Sequence, residues 1–462
     1  MTWRAKWRIR EYIRNSIWII PALFAVAAIA LGIIVPDLEL LTTFEWGVDF
    51  ESNAARSVLG SLAAGMIAFT GFVFSILLLA VQFGSSQFSP RMLRRFLRDT
   101  TTKVALGLFI ATFIYSLLVL SSVGISDEDQ FVPSTSVELA IVLLLLSMFW
   151  FLRLISTTTQ GLRVANVLRE LGDDGREAIE WAYPDPALEH AEHEEASEVL
   201  PDGAHTTVRF VGSPGAMQSI DHRGLVRFAT RSDLVIELVP PIGDFLVVGE
   251  PLFRVYGSAG FDEEEVLSMV ATGDERVLRQ DPAFAFRLLA DISAKALSPG
   301  INDPGTATQA LDQVEVLLRL LATRRLTPGV LRDDAGVVRL HYPAPSWEDY
   351  LSVALDETRQ YGEGSVQVAR RMYALLHDLR NAVPAYRRPA IEPRLVLMRA
   401  SVRRGFSDDH DRYSASTADR QGIGSPRSEM PIHADTGRAG PARVVRRSRV
   451  RRLFSRPSTP SA

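Results

Sequence analysis

The sequence predicts a multi-pass α-helical membrane protein: four N-terminal transmembrane helices, then a cytoplasmic α+β part made of a small β-barrel-like module and a helical domain. Three observations predict it. Four long apolar runs lie within the first third of the 462 residues. Arginines and carboxylates alternate between the segments that join those runs. Beyond them the pattern changes to short β-type runs and then to amphipathic helices.

The apolar runs are Ile17 to Val35, Leu59 to Phe83, Val104 to Val123 and Val137 to Leu152. At about 1.5 Å per residue the first reaches the roughly 30 Å of a bilayer core, and the others are at or near that length. Arg4, Lys6, Arg8, Arg10 and Arg14 ahead of the first run resemble the basic start of a signal peptide. The run is too long for one and no small-x-small cleavage site follows it, so it is expected to stay as an anchor.

Orientation follows from the arginines. The N-terminal segment is basic; the next connection carries Asp37, Glu39, Glu45, Asp49 and Glu51 against a single Arg56. Arg91, Arg94, Arg95, Arg98 and Lys103 follow, then Asp127, Glu128 and Asp129, then Arg153, Arg163 and Arg169. The alternation predicts four spans with both termini in the cytoplasm. Within the basic connection, Ser89-Pro90 reads as the start of a short interfacial helix. Its Met92, Leu93, Phe96 and Leu97 would face the acyl boundary, with Arg91, Arg94, Arg95 and Arg98 among anionic lipid headgroups.

Ionisable groups in mid-span mark proton relays and ion-coupled transport. The four runs have none in their interiors, which disfavours a carboxylate-driven transporter. They do carry Thr70, Ser75, Gln82, Thr112, Tyr115 and Ser116. Ser75 and Gln82 are seven residues apart and share a helix face. With Gln87 they line either a pore or a polar seam between helices, the seam being the commoner use of such groups. Ala64, Gly65, Ala68 and Gly71 offer close helix approach.

The predicted organisation is a transmembrane domain over 1–160, a helical and acidic linker over 161–205, a β-rich module over 206–257, a helical domain over 258–404 and a disordered basic tail over 405–462. Residues Leu162 to Leu171 look like an extension of the fourth span. The acidic stretch Pro184 to Leu200 holds His190 and His193, three apart, but no distant further ligand, so a solvated linker is the simpler reading. From Thr206 to Tyr256 five β-type runs alternate with Gly, Pro and Asp turns, Leu225-Val-Arg-Phe-Ala among them. The stretch from Gly243 to Leu252 resembles small barrel-sandwich hybrid domains related to biotinyl and lipoyl carriers. Those carriers attach their group to a lysine, and this module has none; Lys6, Lys103 and Lys295 are the only lysines in the chain.

Helices are expected after Asp281-Pro282, after Asp303-Pro304, over Ser346 to Tyr361 and Ser365 to Ala382, and over Glu392 to Arg404. Ala296-Leu-Ser-Pro-Gly-Ile-Asn-Asp-Pro-Gly-Thr-Ala307 joins the first two. It gathers Ser298, Asn302, Asp303 and Thr306 before a helix N-terminus, where free N–H groups favour an anion. A capping Asp303 would repel one, so the connector reads either as a ligand site or as a rigid structural corner. The tail from Ser401 is polar and expected to be disordered. Its arginines near Leu453 and Phe454 suit tethering to anionic lipid better than nucleic acid.

The four spans, the stretch Gln82-Phe-Gly-Ser-Ser-Gln-Phe-Ser-Pro-Arg91 and above all the Ala296–Ala307 connector resemble a bacterial family of predicted multi-pass membrane proteins. The resemblance runs from about Trp7 to about Arg399 and implies an inner-membrane protein. It carries over no activity, cofactor or catalytic residue.

Composition narrows the function. With no cysteine, disulfide scaffolds, thiolate metal sites and cysteine nucleophiles are excluded, and the scarcity of lysine leaves almost no Schiff base or phosphate-loop candidate. No catalytic constellation, cofactor site or metal-ligand set is expected. The leading expectation is a homo-oligomeric, channel-like or passive transport protein with a cytoplasmic assembly or gating domain. The alternative is a membrane-anchored ligand sensor or scaffold without transport.

Overall fold

The computed structural model describes residues 2–41, 50–87, 99–124, 132–161, 163–186, 203–326 and 329–424. A first helix, α1 (Trp3–Asn15), precedes four helices long and apolar enough to cross a membrane: α2 (Ile19–Leu41), α3 (Ser52–Gln87), α4 (Thr100–Ser122) and α5 (Ser134–Gly161). α4 is the inner post of this group. Its Ala105, Phe109, Ala111, Tyr115 and Val119 are buried, and α2, α3 and α5 all pack against it. The other three turn large apolar side chains outward, among them Leu23, Val26, Phe72 and Phe149.

The close approach of these helices rests on glycines other than those singled out in the sequence. A Cβ on Gly107 would lie 3.0 Å from the Phe24 ring, and one on Gly32 would lie 2.9 Å from Leu118. Nothing stands within 4 Å of such an atom on Gly65 or Gly71. Beyond the first apolar run, α2 continues through Pro36 to Leu41, which brings Glu39 to the N-terminus of α5. Its carboxylate accepts from the Thr135 and Ser136 N–H groups at 2.7 and 3.2 Å and from Ser136 Oγ at 2.9 Å, so one helix caps another. Arg56 Nη2 donates to the Val123 carbonyl at the far end of α4, at 2.9 Å.

α5 ends at Gly161, and α6 (Val164–Ala182) is a separate helix rather than an extension of it. Val167, Leu168, Leu171 and Ile179 of α6 lie in a helical core with α9 (Pro282–Ala296), α10 (Pro304–Ala322), α11 (Trp347–Tyr361), α12 (Val366–Ala382) and α13 (Glu392–Gly405). The expected helices form, and Asp281, Asp303, Ser346 and Ser365 each accept a backbone N–H at the start of theirs. Two buried arginines bind this core. Arg371, 3% exposed, reaches from α12 to Asp312 and Glu315 on α10, at 2.7 Å each. Arg387 donates to the carbonyls of Leu321, in the last turn of α10, and Arg324, just beyond it.

The β-rich part is not a closed barrel. β1 (His205–Arg209), β5 (Pro251–Tyr256), β3 (Val235–Leu238), β8 (Val338–His341) and β7 (Val330–Arg332) form one open sheet in that order. β4 (Phe245–Leu246), β2 (Gly215–Ile220) and β6 (Val270–Gly273) form a second. The β3–β8 pair is parallel and the rest are antiparallel. One expected strand is a helix. Leu225-Val-Arg-Phe-Ala, expected as a strand, lies in helix α7 (His222–Arg231), capped by Asp221 at the Gly224 N–H. Leu225, Phe228 and Ala229 are its buried residues, a three-and-four spacing that belongs to a helix. Strands β6, β7 and β8, from beyond residue 257, complete the two sheets.

The start of the tail is also folded, against the expected disorder. α8 (Glu263–Leu267) lies between β5 and β6, and α14 (Asp409–Ser416) returns onto α12. Ala415 is fully buried, the Arg370 Nε donates to the Ser414 carbonyl at 2.6 Å, and Arg420 pairs with Asp378 at 2.7 Å. A few anchors hold a segment whose average composition is polar. Residues 425–462, the interfacial helix expected after Ser89, and His190 and His193 lie outside the described residues.

Gly107→Val should lower the melting temperature of the detergent-solubilised protein by an amount corresponding to about 1–3 kcal/mol, the range for overpacking a tight contact. Gly60→Val, with nothing within 4 Å of its Cβ position, should leave it nearly unchanged. Equal effects at the two positions would contradict the α2–α4 packing.

Candidate functional site

The polar groups of the four long helices divide into two sets. On α4, the Thr112 hydroxyl lies 2.9 Å from that of Ser147 on α5, and the Tyr115 hydroxyl donates to the Ser136 carbonyl at 3.2 Å. Thr112, Ser116, Ser136 and Ser147 are buried. These groups form an interhelical seam between α4 and α5. Ser75 and Gln82 are exposed on α3, on a face shared with Ala64, Ala68 and Gly71. The Ser75 hydroxyl is satisfied locally by the Gly71 carbonyl at 3.0 Å. Gln87 is the last residue of α3, and its side chain lies outside the described residues, as do Arg91, Arg94, Arg95 and Arg98.

The connector before α10 does bring its four residues together. Ser298 Oγ donates to the Lys295 carbonyl at 2.7 Å, and the Asn302 N–H to the Ser298 carbonyl at 2.9 Å. The Asp303 N–H reaches back to Ala296 at 2.7 Å. The Asp303 carboxylate then accepts from the Thr306 N–H at 3.1 Å and its hydroxyl at 2.6 Å. Asn302 adopts a left-handed φ of 49°. The Asp303 carboxylate thus already answers the charge at the N-terminus of α10, in a helix–turn–helix corner.

A larger feature lies where α1 meets the rest of the chain. A cavity of about 1160 Å³ is walled by Trp7, Glu11 and Arg14 of α1, by Thr100 at the start of α4, and by Asp174, Glu177 and Trp181 of α6. Phe245 of β4 and the run Asp274 to Arg279 after β6 complete it, with Phe284 and Arg287 from α9. Arg276 is fixed by Asp281, Nε at 2.9 Å and Nη2 at 2.6 Å, and lies over the Phe284 ring. Burial raises the Asp281 carboxyl above its ordinary value, with Arg276 opposing, and burial also raises Asp244. Gly243, at a φ of 102°, passes so close that a Cβ would stand 2.6 Å from Arg276 Nε. Behind the wall, His222 packs between the Trp181 and Tyr342 rings, and burial lowers its pKa to about 4, which keeps it neutral at physiological pH. Deeper still, the hydroxyls of Tyr183 and Tyr350 meet at 3.0 Å, both held protonated by burial.

α1 is fastened at both ends of its length. Arg4 donates to the Leu267 and Val270 carbonyls, the latter at 2.8 Å, and Arg279 lies over the Trp7 ring at 5.4 Å. The buried Lys103 of α4 donates to the Arg14 carbonyl at 2.8 Å, at the negative end of the α1 dipole. Among the described residues, no group of three or more His, Asp or Glu side chains could hold a metal ion. The sequence reading missed this cavity because its walls come from segments far apart in the chain. The one available signal was the spacing of Trp3, Arg4, Trp7 and Glu11, which marks one face of a helix.

Residues 14–378 match a family described as predicted membrane proteins, DUF2254. Two relatives, from Mycobacterium tuberculosis and Mycobacterium bovis, each named as an uncharacterized protein, are 29% identical over 416 residues. The match covers 87% of this chain and 79% of each relative. No solved structure matches the chain.

Asp303→Ala should destabilise the protein by about 1 kcal/mol, the worth of an N-cap, seen as a lower thermal midpoint. Phosphate should protect neither form. Protection of the parent by phosphate, lost in the variant, would restore the connector as an anion site.

Proposed function

The chain is thus a member of the DUF2254 family of predicted membrane proteins, and from that premise we propose that it spans the bacterial inner membrane four times and forms a homo-oligomeric, channel-like conduit. Both termini lie in the cytoplasm in this reading. Support for that sidedness comes from the arginine alternation and from α1, whose Arg4 bonds the soluble part directly across 266 residues of sequence. An even number of crossings satisfies both.

The observation that carries the conduit is the outward face of α3. Leaving an unpaired amide among acyl chains costs roughly 2–7 kcal/mol. Gln82, Ser75, Gly71, Ala68 and Ala64 share an exposed face, while the seam residues of α4 and α5 are buried inside the protomer. Small residues permit close packing of a second copy, and the polar ones would then line or border an axis. Mid-span carboxylates are lacking, so passive flux fits better than coupled transport. The reading includes no catalytic step. Lipid headgroups are the expected partners of the connection holding Arg91, Arg94, Arg95 and Arg98.

A second reading, a ligand-responsive scaffold without flux, is favoured by the charged and aromatic cavity between α1, α6 and the second sheet. Both readings give the soluble part a regulatory task.

The natural absence of cysteine makes a direct test simple. Gln82→Cys in native membranes should form disulfide-linked dimers on mild oxidation, and Phe149→Cys on the outer side of α5 should not. Proteoliposomes of the parent should pass ions, with Gln82→Leu reducing the flux several-fold. Absence of both cross-linking and flux would exclude the conduit and leave the scaffold.

A further inference from the structure

α1 has two faces, and the fold uses only one of them. Trp3, Arg4, Trp7, Glu11 and Arg14 fall on the side that meets the soluble part and the cavity. At 100° per residue, Ile9, Tyr12 and Ile13 fall opposite, and all three are exposed, by 46%, 69% and 53%. Lys6 and Arg10 flank that row on one side and Arg8 on the other, and they too are exposed. An apolar strip bordered by cations is the pattern of a helix lying in a bilayer interface.

Three further facts fix the occupant. The helix ends at Asn15 and α2 begins at Ile19, so only three residues separate α1 from a helix long enough to cross the membrane. Trp18, within that gap, is 66% exposed, as expected of an aromatic at headgroup level. Lys103, in the first turn of α4, holds the C-terminal end of α1 at the level where that helix starts. With the inner face occupied by the soluble part, the outer face is turned to the lipid.

We propose that α1 is a two-sided strap: its Ile9–Tyr12–Ile13 face binds the surface of an anionic bilayer, while its Trp7–Arg4 face grips the soluble part and walls the cavity. This rests on the bilayer placement proposed above. Anionic lipid draws the flanking cations down, and the state of the membrane surface is thereby passed to the loop that follows β6. The partner is the bilayer itself, recognised by apolar depth and negative charge rather than by one headgroup.

Site-directed spin labelling on the cysteine-free chain tests this. The full-length protein carries one label at a time, at Tyr12→Cys, Ile9→Cys, Val26→Cys or Asp334→Cys. Each is placed in lipid nanodiscs of phosphatidylcholine with or without phosphatidylglycerol. Collision with oxygen and with a water-soluble nickel chelate gives depth. Val26 on α2 should report the acyl interior and Asp334 the aqueous phase. Tyr12 and Ile9 should report a depth between them, shifted inward several-fold in oxygen-to-nickel ratio when phosphatidylglycerol is present. Labels at Tyr12 and Ile9 as accessible to nickel as Asp334, with Val26 still deep, would overturn the strap and leave the spans standing. An aqueous Val26 would overturn the bilayer placement and the strap together.

Discussion

The constraint on which everything else depends is the solvation of the outward apolar surface of α2, α3 and α5. Leu23, Val26, Phe72 and Phe149 are exposed on helices that bury little of themselves in the protomer, and only α4 is mostly enclosed. Water would penalise that surface at roughly 25 cal/mol per Å², whereas acyl chains do not. Contiguous apolar area of this extent marks a membrane or protein contact. The helices also meet the second demand of lipid, which is that backbone groups be satisfied from within the fold. Glu39 caps α5, Asp99 caps α4 through the Thr101 and Thr102 N–H groups, and Arg56 answers a carbonyl at the other end of α4.

Once the four helices are placed, the rest of the chain has little freedom. Two residues separate α6 from α5, and α6 lies in the helical core, so α5 feeds directly into the domain beyond it. α1 closes the arrangement from the opposite end of the chain. Its contacts with Val270, Leu267, Arg279 and the Lys103 ammonium make one mechanical link among α1, α4 and the second sheet. The cavity is the space this link encloses. A ligand there, or a change at the bilayer surface, would act on the same few contacts. In the proposed conduit that is the natural route from cytoplasm to pore.

Much of this was legible in the sequence, and what was missed has a common cause. Long apolar runs and Asp-Pro or Ser caps are local signals, and they located the four long helices and the starts of α9 to α12. Residues that act through distant partners left no local mark. Leu225, Phe228 and Ala229 had both β-type composition and helical spacing, and the spacing prevailed because Asp221 caps a helix there. α14 is polar on average yet held by Ala415 and Arg370. The cavity draws on α1, α4, α6, β4, the loop after β6 and α9, which no window of sequence spans. The division of polar span residues into a buried seam and an outward face likewise needed the packing of α4, since Ser75 and Thr112 look alike in sequence.

The most direct measurement of the central claim is flotation of cell membranes after an alkaline carbonate wash. Lipid-solvated helices should keep the full-length protein in the floating membrane fraction. Release of the protein into the carbonate supernatant would mean that the outward faces of α2, α3 and α5 are covered by something other than lipid.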